Sequence, residues 1–146
     1  MASKIFFFGD SITEGQFVGA PNRWFDIVSQ KIYESIDIEY FMGAVSGDTS
    51  TMGLARFPKQ VQQIKPDWLF IQFGFNDSNR WKSDLGLPRV SKELFKASIM
   101  EMINRARYFG VKQITLINNY KCLKVVEKDL FLNNLVSDYN QSLKDI

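Results

Sequence analysis

Apolar runs alternate along the chain with stretches whose apolar residues recur every three or four positions. Ile5 to Phe8 is unbroken, as in a strand buried on both faces, and it stops at Gly9-Asp10-Ser11. A polar loop from Gln16 to Pro21 follows Gly15, and Asn22 can cap a helix carrying Trp24, Ile27, Val28 and Ile32. A second strand is expected from Ile36 to about Met42, ending in the glycine-rich turn Gly43 to Ser50. Thr49 or Ser50 can cap the next helix, whose stripe is Leu54, Phe57, Val61 and Ile64, with Pro58 kinking or restarting it. Trp68 to Phe73 is the third strand, ending at Gly74-Phe75-Asn76-Asp77.

A polar loop from Ser78 to Val90 is near the upper length for a structureless connection, which points to function or local folding. Ser91 caps a long helix bearing Phe95, Ile99, Met102, Ile103, Ala106 and Phe109, stopped by Gly110. Ile114 to Ile117 is the fourth strand, and after a loop from Asn118 to Lys124 a last helix from about Val126 carries Leu130, Leu135, Val136, Tyr139 and Leu143. Strands alternating with helices predict an α/β fold, a parallel sheet with right-handed crossovers.

Composition narrows the function more than the fold. The 146 residues suit a single domain with one core, and the 13 phenylalanines fall mostly in apolar runs, as core filling requires. A net charge of +2 without a long basic run gives no case for nucleic acid. One cysteine, Cys122, excludes an internal disulfide and a cysteine-based zinc site. The first strand begins by residue 4, leaving no room for a signal peptide, and no apolar run approaches the roughly 20 residues that span a bilayer. A cytoplasmic protein with no membrane partner is expected. There is no histidine, so a mechanism that needs an imidazole cannot be completed by these residues.

In a doubly wound sheet of order 2-1-3-4, the loops leaving strands one, two and three share one rim. They carry Ser11, the Gly43 to Ser50 turn and Asn76, which together are the parts of an acyl-transfer site: a hydroxyl to attack, and donors for a developing oxyanion. The competing reading of Ser11 is a helix cap, and of Asp10, Glu14, Asp48 and Asp77 turn or cap stabilisation. Gly9 to Gly15 is neither a P-loop nor a dinucleotide fingerprint, lacking the P-loop lysine and the glycine spacing.

Gly9-Asp10-Ser11-Ile12-Thr13-Glu14-Gly15 resembles the first block of the SGNH (GDSL-type) hydrolases. Gly47, within Val45 to Ser50, resembles the glycine of the second block, and Gly74-Phe75-Asn76-Asp77 the Gly-x-Asn-Asp of the third. The resemblance implies a flavodoxin-like three-layer α/β/α fold and hydrolysis of a small-molecule ester without metal or cofactor. It also implies Ser11 as nucleophile, with the Ser11 amide, the Gly47 amide and the Asn76 side chain as oxyanion hole. Acetylated carbohydrates and short acyl esters are the first substrates it suggests, with Phe17, Val18, Trp24, Arg80, Trp81 and Asn118 to Tyr120 as candidate pocket residues.

The family's fourth block, Asp-x-x-His, has no counterpart among these residues. The resemblance therefore implies a domain lacking its last strand and its catalytic base, and a chain nearly inert by itself. Strand four would be left as an edge, inviting a second copy or a separately supplied C-terminal piece. The alternative is a protein that kept the fold and pocket for binding or scaffolding and lost catalysis.

Overall fold

The computed structural model describes residues 2–34, 37–120 and 127–146. Ile36, Cys122, Lys124, Val126 and the side chain of Leu130 lie outside the described residues. The elements run β1 (Ser3–Gly9), α1 (Ser11–Glu14), α2 (Trp24–Tyr33), β2 (Ile38–Ala44), α3 (Ser50–Phe57), β3 (Trp68–Gln72), α4 (Phe75–Ser78), α5 (Lys92–Tyr108), β4 (Gln113–Leu116) and α6 (Glu127–Lys144).

The four strands form one parallel sheet of order β2-β1-β3-β4, as the alternation predicts. β1 is central because it is apolar on both faces. Phe6 and Phe8 point to the layer of α3 and α5, in a cluster with Phe57, Phe73, Phe95 and Met102; Tyr139 of α6 joins it. Ile5 and Phe7 point the other way, against Phe25 and Trp24 of α2 and Phe70 of β3. The Phe8 ring meets Phe57 and Phe73 edge-on at 5.4 and 5.6 Å, and Phe7 stacks on Phe70 at 5.0 Å. Each such ring contributes about 1.5–3 kcal/mol by burial alone.

Register decides where the loops emerge. Gly9 lies opposite Ala44 on one side and Gln72 on the other, so β1, β2 and β3 end level and their loops leave along one line. Gly9 must be glycine for space: a Cβ there would lie 2.0 Å from Thr13 Oγ1 and 2.5 Å from the Gln72 carbonyl. That closeness lets Thr13 Oγ1 donate to Gln72 Oε1 at 3.0 Å, folding α1 tightly back over the sheet end.

Several boundaries differ from the sequence reading, each for a local reason. α2 starts after Arg23, whose guanidinium pairs with Asp26 at 2.8 Å, so Asn22 is not its cap. At Pro58, where the sequence allowed a kink or a restart, the α-helix α3 ends at Phe57 and the chain restarts as a π-turn over Pro58–Gln62, with the proline at its first position, where a backbone donor is not needed. The 78–90 loop folds on itself: Arg80 bridges Pro88, and the Val90 and Arg89 amides donate to Asp77 and Asn79. The Tyr139 hydroxyl donates to the Val90 carbonyl and fastens the loop's end to α6.

Candidate active site

Ser11 is the first residue of α1, half-buried, immediately beyond β1. It is not the cap. Asp10 takes that role, accepting from the Ile12 amide at 2.9 Å, which leaves the Ser11 hydroxyl uncommitted to capping and on the wall of a cavity of about 520 Å³. Phe17, Val18, Trp24, Ile27, Phe75 and Tyr120 give that cavity an apolar lining. Of the pocket residues suggested by sequence, Phe17, Val18, Trp24 and Tyr120 are there. Arg80 and Trp81 are not: Arg80 donates to the Gly86 carbonyl, and Trp81 lines a separate cavity. Asn119, beside Tyr120, is tied to the Phe73 carbonyl through its side chain and to Asn140 of α6 through its backbone.

The three loops do meet. Asn76 on α4 donates through Nδ2 to the Asp48 carbonyl at 2.9 Å and lies 3.5 Å from Asp10 Oδ2. One side-chain amide thus joins the third loop to the second and faces the residue before Ser11. Gly47 sits in the second loop at φ +84°, a conformation that favours glycine, and a Cβ there would point into open space. Gly47 is glycine for backbone conformation, whereas Gly9 is glycine for lack of room.

Behind these groups stands a residue the sequence reading missed. Arg56 of α3 pairs its Nε with Asp48 at 2.7 Å, donates from Nη1 to the Gly43 carbonyl and from Nη2 to the Gly9 carbonyl at 2.9 Å. Its guanidinium lies 4.3 Å from the centroid of the Phe8 ring. One cation therefore braces the ends of β1 and β2 and the loop carrying Gly47. The available signal was an arginine directly before the buried Phe57, since a cation beside a core stripe must be paired.

Capping also works differently from expectation at α3. Thr49 is the cap position but its hydroxyl bonds Thr51. The buried Asp77 of α4 receives the Ser50 amide at 3.0 Å and the Ser50 hydroxyl instead. Burial pushes the Asp77 carboxyl up. Asp10, fully buried, is pushed from 3.8 to about 6, chiefly by burial, with Asp77 and Asp48 adding repulsion and the Ile12 amide opposing it. Among the described residues, no group of three or more histidine, cysteine, aspartate or glutamate side chains could hold a metal ion. No helix among them is long and apolar enough to cross a membrane.

Residues 7–146 match the GDSL-like Lipase/Acylhydrolase family. The chain belongs to that family. It is 31% identical over 125 residues to the uncharacterized lipoprotein YqeF of Bacillus subtilis, covering 82% of this chain and 48% of that protein. It is 32% identical over 116 residues to an arylesterase of Vibrio mimicus, covering 79% of this chain and 54% of the esterase. The chain spans about half the length of the curated relatives it matches. The crystal structure of Axe2, an acetylxylan esterase from Geobacillus stearothermophilus, superposes with a TM-score of 0.77 at 25% identity, over 99% of this chain and 72% of that one. The fold is thus the SGNH-hydrolase α/β fold that the motifs suggested.

Proposed function

We propose that this domain is a serine ester hydrolase in which Ser11 is the nucleophile and the Ser11 amide, the Gly47 amide and Asn76 Nδ2 bind the oxyanion. Ser11 Oγ adds to the acyl carbon, the carbonyl oxygen takes the negative charge, and collapse expels the alcohol to leave an acyl-serine that water cleaves. The observation that carries this reading is the Asn76 amide, held by the Asp48 carbonyl on the rim that Ser11 occupies. The apolar cavity at Ser11 suits the acyl portion. Catalytic mutants of the Geobacillus esterase replace a serine, an aspartate or a histidine, which supports a triad chemistry in the whole family member.

The 146 residues contain no histidine, so the Ser11 proton has no ordinary acceptor within them, and these residues alone are expected to turn over weakly. That same absence favours the second reading, a binding or scaffold protein on the same fold. Hydrolysis of p-nitrophenyl acetate with and without added imidazole separates the two, with Ser11→Ala subtracting the imidazole background. Ser11-dependent turnover that rises with imidazole supports the hydrolase; identical rates for Ser11→Ala and the parent at every imidazole concentration would leave only the binding protein.

We also read residues 1–146 as a single domain and place it in the cytoplasm; the lipoprotein designation of YqeF argues the other way, and cell fractionation decides. Among the described residues β4 pairs only with β3, which supports self-association through its outer edge, to be checked by sedimentation velocity over a range of concentrations.

A further inference from the structure

The three donors assigned to the oxyanion are not held alike. The Ser11 amide belongs to the first residue of α1, and the Asn76 side chain is fixed on the Asp48 carbonyl at 2.9 Å. Gly47 is exposed, a Cβ at its position would meet nothing within 4 Å, and among the described residues its amide donates to no protein acceptor. The Asp48 amide donates to the Val45 carbonyl at 3.2 Å, closing a turn in which Ser46 has negative φ and Gly47 has φ +84°. That is a type II turn, and the peptide joining Ser46 to Gly47 is its central one. A central peptide can rotate between the type I and type II orientations while the turn stays closed, and glycine at the third position permits both. The rotation reverses the Gly47 N–H, so closing the turn does not by itself aim the donor.

A second arginine holds this turn. Arg89 Nη1 donates to the Gly47 carbonyl at 3.1 Å, from 42 residues further along the chain. Among the described residues no other side chain bonds Gly47 itself; Arg56 and Asn76 take hold one residue later, at Asp48. The Arg89 guanidinium is itself supported, with its centre 4.6 Å from the centroid of the Trp81 ring. The backbone beneath it is pinned as well: the Arg89 amide donates to the Asn79 carbonyl, the Val90 amide to the Asp77 carbonyl and the Gly86 amide to the Trp81 carbonyl.

From this we infer that Arg89 is a positioning residue for ester hydrolysis: stacked on Trp81, its guanidinium holds the Gly47 carbonyl and so keeps the Gly47 amide aimed for the oxyanion. The inference rests on the hydrolase reading above. With Asp48 held by Arg56 and Asn76, and the Gly47 carbonyl held by Arg89, the peptide after Gly47 is fixed at both ends. Rotation of the central peptide drags its neighbours, and a pinned neighbour resists it. An oxyanion donor lowers the barrier only when it is aimed before the charge develops, so a Gly47 amide free to turn away is worth less than a fixed one. In this role Arg89 acts through Gly47 and not on the reacting atoms. Lysine would replace it in part, since an ammonium can donate to the carbonyl but cannot lay a planar cation on the indole.

The test reads the Gly47 amide and the reaction separately, on the full chain as parent, Arg89→Ala, Arg89→Lys and Trp81→Ala, with Ser11→Ala as the turnover blank. In ¹⁵N relaxation the Arg89→Ala protein should show motion at Gly47 that the parent lacks, as an order parameter below about 0.6 or as µs–ms exchange, with the Ser11 and Asn76 amides unchanged. Ser11-dependent hydrolysis of p-nitrophenyl acetate in imidazole should lose about tenfold in kcat with KM nearly constant, less than the roughly 10²–10³ lost when a donor is removed outright. Arg89→Lys should recover part of both readings, and Trp81→Ala should move both the same way by less. The urea midpoint should stay in place, because one exposed hydrogen bond adds little to global stability. A Gly47 amide as still as the parent's, a loosened Gly47 with parental kcat, or a urea midpoint that falls in step with kcat across the variants would each overturn the assignment while leaving the hydrolase standing. A parent whose turnover ignores Ser11 would overturn the hydrolase and, with it, any part for Arg89 in the reaction, even where Gly47 loosens.

Discussion

Asp10→Asn isolates the charge of a buried carboxylate from its shape. Asp10 has no exposed surface, and its carboxyl is raised from 3.8 to about 6, first by burial and then by Asp77 and Asp48. Between those two values the unfolded chain has released the proton while the folded chain still holds it. The folded state then binds more protons, so stability falls as pH rises, from full strength below pH 4 to a plateau above pH 6. A gap of about two pH units is worth about 3 kcal/mol. Asp77, also raised, adds to the slope with the same sign. Asparagine caps a helix as well as aspartate does, so the Ile12 amide keeps its acceptor. The new amide would face Asn76 Nδ2, losing a contact already at 3.5 Å, at a cost of about 1 kcal/mol that does not vary with pH. Relative to the parent, Asp10→Asn should therefore gain about 3 kcal/mol between pH 4 and pH 6.5. Urea unfolding followed by tryptophan fluorescence at pH 4, 5, 6 and 7 reads this as a midpoint difference that grows by about 1.5 M. Midpoints that run parallel across the range would refute the reasoning, because they would mean that Asp10 titrates alike in the folded and unfolded chains.

Arg56→Ala strands the Asp48 carboxylate and two strand-end carbonyls, and should cost about 3–5 kcal/mol in the same assay. A double-mutant cycle with Asp48→Ala should show a coupling of at least about 1 kcal/mol, and additivity would sink the brace. Gly9→Ala forces a methyl against Thr13 and the Gln72 carbonyl and should cost about 3 kcal/mol or more, read as a lowered Tm by calorimetry. Asn76→Ala, in any form of the protein that turns over ester, should lower kcat by about 10²–10³ while KM changes little, and an unchanged kcat would remove Asn76 from the oxyanion site.

The sheet was legible because β1 and β3 are apolar runs ended by glycine, and topology rules then leave few arrangements. The meeting of Ser11's loop with those of Gly47 and Asn76 was legible for the same reason, since strand order alone places three loops on one rim. Contacts made by long polar side chains across the chain were not. Nothing local says that Arg56 reaches back 47 residues to the Gly9 carbonyl, or that Asp77 rather than Thr49 serves the start of α3. The placement of Trp81 failed for a related reason: the 78–90 segment looks like open loop, but its backbone closes on itself, and Trp81 lines a cavity with Thr49 and not the one at Ser11.

β1 separates two cores that otherwise share little, Phe6 and Phe8 facing one and Ile5 and Phe7 the other, and Ser11 follows three residues after its last core side chain, Phe8. The strand is a party wall with Ser11 mounted just past its end. A repacking substitution at Phe25 on one side or Phe95 on the other, neither of which lines the Ser11 cavity, presses on the same short lever. Variation in substrate range within such a domain can therefore arise from interior residues that never touch a ligand, and a screen confined to the cavity lining would pass over them.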